Sequence, residues 1–75
     1  MHLPYLRRVR ERALLTQREL AARAGLTQAT VHRIESGATR ARISTVRRLA
    51  GALRVDPKVL MEGGREETNG TDSSG

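Results

Sequence analysis

The side chains able to do specific chemistry fall on one short stretch. Between Thr27 and Ser36, Val31 and Ile34 stand three apart and mark the inner side of an expected helix. Gln28, Ala29, His32 and Arg33 lie on its other sides, with Thr30 near its start. That outer face is polar and short-chained near its N-terminus, which is unusual for a helix that merely packs. Gln28 carries a planar amide and Arg33 a planar fork of donors, both suited to paired hydrogen bonds with a planar partner. Catalytic arrangements do not stand out. The chain has no Cys, no Gly-rich phosphate loop and no cluster of carboxylates or histidines. His2 and His32 show no ligand spacing, so no metal is expected. The expectation is a binding protein without a cofactor, not an enzyme.

Charge narrows the partner. The 75 residues carry a formal net charge of +6, unevenly placed. Residues 1–61 hold 13 Arg or Lys against 4 acids, while residues 62–75 hold Arg65 against Glu62, Glu66, Glu67 and Asp72. A basic compact part followed by an acidic tail suits a polyanionic partner such as nucleic acid. The blander reading is an ordinary charged surface in a chain biased toward Arg. No stretch approaches the roughly 18 apolar residues of a membrane span, and no signal peptide is evident. A cytoplasmic location is expected.

The elements that must position this face are all helical. With no Phe or Trp and only Tyr5 as an aromatic, the core must come from Leu, Ile, Val, Ala and Met on closely packed helices. Residues 4–15 read as a first helix, with Pro4 at its first position and Leu6, Val9, Ala13 and Leu14 as its apolar face. Arg10 points toward that same side. A charge there needs a partner, or else snorkels to solvent. Thr16 to Glu19 form a capping box for a second helix whose inward face is Leu20, Ala21 and Ala24, ended by Gly25. Leu26 fills the core at the turn, Thr27 caps the third helix, Gln28 to Ser36, and Gly37 ends it. After a loop at Ala38 to Arg42, a fourth helix spans about 43–53, with Ile43, Val46, Leu49, Ala50 and Leu53 at helical spacing. Asp56 and Pro57 open a last short turn carrying Val59, Leu60 and Met61. The expected fold is an all-α, compact five-helix domain over residues 1–61, with residues 62–75 as a disordered tail.

The spacing Gln17, Ala21, Gly25, Val31, Ile34, Glu35 resembles the phage-repressor helix-turn-helix of the Cro or XRE type, in the lambda-repressor-like fold. The likeness runs from about Leu6 to Met61. It implies that Ala21 is small because two helices cross closely, and that Arg10 and Glu35 form a structural salt bridge. Three positions depart from the pattern: Ala41 where Pro is frequent, Arg42 where Ser or Thr usually caps the fourth helix, and Arg54 where Gly is usual. A left-handed backbone at Arg54 would be mildly strained.

The resemblance further implies a sequence-specific DNA-binding transcriptional regulator, most simply a repressor, with its third helix in the major groove. Gln28 then pairs with adenine and Arg33 with guanine, while Ala29 or the Thr30 methyl touches a thymine methyl. His32 either contacts a base or phosphate or simply faces solvent. Gln17, Arg18, Thr27, Arg40 and Arg42 are the phosphate candidates, and Gln17 also stands to brace Gln28. A homodimer on a near-palindromic site, with half-sites roughly 34 Å apart, is the family expectation. Val55, Val59, Leu60 and Met61 are its candidate contacts, unless they are purely core. The alternative function is an antitoxin or adaptor that holds an unidentified protein partner.

Overall fold

The computed structural model describes residues 1–63. It shows five helices and, among the described residues, no strand: α1 (Leu6–Arg12), α2 (Gln17–Ala24), α3 (Gln28–Ser36), α4 (Ile43–Leu53) and α5 (Pro57–Glu62). α2 packs on both α3 and α4, and α5 packs on α4 and α1. Leu6, Leu20, Val31, Leu49 and Leu60, one from each helix, are fully buried at the centre. Removing that aliphatic surface from water is the main force holding so short a chain together.

Helix starts follow the sequence signals. Thr16 accepts from the Glu19 amide at 3.0 Å, and the Glu19 carboxylate accepts from the Thr16 amide at 2.8 Å, so the capping box is complete. Thr27 caps α3 by accepting from the Thr30 amide at 3.1 Å. Asp56 caps α5, with Pro57 at its first turn. Arg42 occupies the cap position of α4 with no side-chain cap bond.

Helix ends share one device. Four helices stop where a residue turns left-handed and the next amide reaches back five positions to close the last turn. The bonds are Leu15 to Arg10, Leu26 to Ala21, Ala38 to Arg33 and Val55 to Ala50, at 2.8–3.2 Å. Gly25 (φ 71°) and Gly37 (φ 82°) serve two of these turns, and Leu14 (φ 62°) and Arg54 (φ 57°) the others. Arg54 thus carries the strain that its departure from Gly implied.

Leu14 corrects the expected first helix. α1 is Leu6–Arg12, not 4–15. It ends early because the left-handed turn at Leu14 rotates the following chain off the helical path. Ala13 is exposed and Leu14 is 88 % exposed, so neither belongs to the apolar face. Pro4 lies in a preceding turn, in which the Leu6 amide donates to Leu3 O. Ile43 is likewise exposed, because it opens α4 beyond the edge of the core. The core instead gains Leu3 and Ala41, both buried. The Ala41 amide donates to Met1 O at 2.8 Å and Ala41 O accepts from the Met1 nitrogen at 2.5 Å. A proline at 41 would lack the first of these donors. Gly63 lies close against the Tyr5 ring after α5. Most of the expected tail, residues 64–75, lies outside the described residues.

Candidate nucleic-acid interface

α2 and α3 are joined by the turn Gly25, Leu26, Thr27, with Leu26 packed against the core. Ala21 is 3 % exposed where the two helices meet, and its small side chain allows the close crossing. The Gly25 carbonyl accepts from Arg48 Nη1 at 3.4 Å, a long bond that ties the turn to α4. A contact 23 residues away leaves no periodic trace, so nothing in the sequence singles out Arg48 for this part. Val31 and Ile34 anchor α3 by its inner face.

The outer face of α3 is therefore fixed in direction. Gln28, Ala29, His32 and Arg33 are exposed along it. The side chains of Gln28, His32 and Arg33 make no hydrogen bond among the described residues, which leaves their donors and acceptors available to an external partner. Thr30 is half-buried, and its hydroxyl lies 2.9 Å from that of Thr27. That contact engages both hydroxyls locally.

Two polar clefts flank this face. The first, about 360 Å³, is lined by Arg7, Arg10, Gln17, His32, Glu35 and Ser36. The second, about 190 Å³, brings Arg33 beside Arg40 and Arg42, with Thr30, Thr39 and Thr45. The base-reading candidate Arg33 thus shares a cleft with two phosphate candidates from the α3–α4 loop. Arg18 is exposed on α2 and lines neither cleft.

The apolar-side arginine of α1 finds its partner across the fold. Arg10 donates from Nε to Glu35 Oε2 at 2.7 Å and from Nη2 to Glu35 Oε1 at 3.0 Å, a two-pronged pair. Its third nitrogen, Nη1, donates to Leu15 O at 2.8 Å. The Arg10 side chain is 10 % exposed and that of Glu35 4 %. The Glu35 hydrogen bond, opposed by burial, holds the Arg10 pKa above its ordinary high value, so the guanidinium stays charged. Gln17 donates from Nε2 to Glu35 Oε1 at 3.0 Å. Its amide is thus held by Glu35, where the resemblance had suggested bracing of Gln28. Val59 and Leu60 are buried in the core and offer no surface to a second copy, while Val55 and Met61 are half-buried.

A compact helical domain with a core-anchored, polar-faced third helix defines the class as helix-turn-helix. The model of a protein family described as helix-turn-helix matches residues 6–60, most of the chain. The chain belongs to this family of XRE-type, lambda-repressor-like DNA-binding regulators. A search of the curated proteins found no match. Among the described residues no helix is long and apolar enough to cross a membrane.

Proposed function

We propose that this protein is a sequence-specific transcriptional repressor that lays α3 in the DNA major groove. Gln28 and Arg33 read base edges, with Ala29 and the Thr30 methyl against thymine and His32 at a base or phosphate. Gln17, Arg18, Thr27, Arg40 and Arg42 hold the backbone and set the register. Two copies bind a near-palindromic site, each domain reading one half-site, in the cytoplasm. The chain acts by binding, with no catalytic step of its own. The observation that carries this reading is the row of Gln28, His32 and Arg33 side chains, unpartnered among the described residues, on a helix whose opposite face is locked into the core.

Selection from a randomised duplex library at stated salt tests it, since phosphate contacts make affinity salt-dependent. One enriched motif is expected, and equal binding to all duplexes refutes sequence reading. Arg33→Ala is expected to relax preference at one base pair per half-site, at about 1–3 kcal/mol. Unchanged specificity would remove Arg33 from the readers.

A further inference from the structure

We infer that the buried Arg10–Glu35 pair is a positioning device for DNA binding: it fixes the Gln17 amide so that its free N–H faces a backbone phosphate. This rests on the DNA-binding reading above and assigns to a core ion pair a part in affinity.

The Glu35 carboxylate has only acceptors to offer. Gln17 must therefore turn its NH2 group, not its carbonyl, toward Oε1, as the 3.0 Å contact shows. One of the two amide N–H groups is thereby used. The other remains on a half-buried residue at the start of α2 that lines the open cleft with Arg7, His32 and Ser36. Gln17 thus spans from the buried network to the polar surface beside the α3 face. Arg10 in turn fixes Glu35 with two bonds and is itself fixed on Leu15 O. The network joins α1, the α1–α2 turn, the start of α2 and the end of α3, so the rotamer of Gln17 is set by four segments at once.

Stability alone does not account for such a pair. Replacing a buried ion pair with apolar side chains of similar volume is often neutral or stabilising, whereas removing one partner is strongly destabilising. A surface glutamine left free would sample several rotamers and lose their entropy on binding; one held in advance avoids that loss.

The test is a double-mutant cycle on duplex affinity with the full chain. One arm is Gln17→Ala, the second is Arg10→Met with Glu35→Leu together, and the third combines all three. The paired replacement removes one positive and one negative charge, so the net charge is unchanged. Each of the first two arms is expected to weaken binding roughly three- to tenfold, the range of one hydrogen bond. The loss is expected to be uniform across sequences and to leave the salt slope unchanged, because Gln17 is neutral. The combined arm is expected to lose no more than either alone. An unchanged affinity in either arm, or losses that multiply, overturns the inference. A salt slope reduced by about one in the paired arm shows Arg10 itself acting on phosphate, which also overturns it.

Should the paired replacement fail to fold, the Gln17 side-chain amide of the unaltered protein decides by NMR. A pair of amide protons displaced from the shifts of a free glutamine, exchanging slowly with water and moving further on addition of duplex, is expected. Amide protons at the shifts and water-exchange rate of a free glutamine, indifferent to DNA, overturn the inference. An unaltered protein that binds no duplex refutes the DNA reading and the inference with it. A duplex-binding protein whose affinity ignores the pair refutes the inference alone.

Discussion

Replacing Leu14 with glycine is expected to stabilise this domain, although it deletes a large apolar side chain. Leu14 sits at φ 62° and is 88 % exposed. A left-handed residue with a Cβ costs roughly 1–2 kcal/mol, because Cβ crowds the following carbonyl oxygen. Glycine removes that strain but adds freedom to the unfolded chain, an offset of roughly 0.5–1 kcal/mol. Little apolar burial is lost, since the side chain is already in water. The net expectation for Leu14→Gly is a gain of about 0.5–1 kcal/mol. For a domain of this size that raises Tm by about 2–8 °C. Urea unfolding followed by circular dichroism measures it, with a higher midpoint and an unchanged slope expected. Gly25→Ala is the companion, placing a Cβ in the same kind of turn at φ 71°. The added atom meets only the flexible Arg48 Nη1 at 3.2 Å, so backbone strain, reduced by the same unfolded-chain offset, gives an expected loss of about 0.5–1 kcal/mol. A lower midpoint for Leu14→Gly would refute the reasoning, since it would mean that Leu14 packs or that the turn is not left-handed.

Three further outcomes are expected. Thr27→Ala removes the α3 cap and should lower stability by about 1 kcal/mol in the same assay; an unchanged midpoint would show the cap to be idle. Gly63→Ala would place a Cβ 2.3–2.4 Å from Tyr5 ring carbons at a positive φ, and a loss of about 1–3 kcal/mol is expected. Tyr5→Ala in the same chain should recover the steric part of that loss, and full additivity would argue against the contact. The third concerns pH. Hydrogen bonds from the Thr16 backbone and then its side chain hold the Glu19 pKa below its ordinary 4.5. The capping contribution is therefore complete above that ordinary value and is lost as pH falls through the lower folded-state value. Glu19→Gln should remove this part of the acid sensitivity between pH 5 and pH 2 (about the range carboxylates titrate), and parallel pH profiles for the two proteins would contradict it.

Much of the architecture was legible because its signals are local. Thr16, Glu19, Thr27 and Asp56 act on amides two or three residues away, so their types and spacing suffice to place helix starts. Gly25 and Gly37 marked two helix ends for the same reason. The end at Leu14 was not legible, because leucine carries no signal for a left-handed turn and its position continued the apolar period of α1. The burial of Leu3 and Ala41 was not legible because each is covered by segments distant in sequence, not by its own helix. Arg10 was conspicuous as a charge at an apolar position, yet its partner 25 residues away entered only through family likeness.

The sequence by itself determined five helices, a basic surface and the row of polar residues along α3, because hydrophobic period, capping and charge are properties of neighbours along the chain. Only the tertiary structure decided what those residues share. It set Arg33 in one cleft with Arg40 and Arg42. It also joined Gln17 through Glu35 to Arg10, where sequence likeness pointed to Gln28. Such choices depend on how α1, α2 and α3 cross, and a crossing is fixed by the packing of the whole core, which no single stretch of sequence contains.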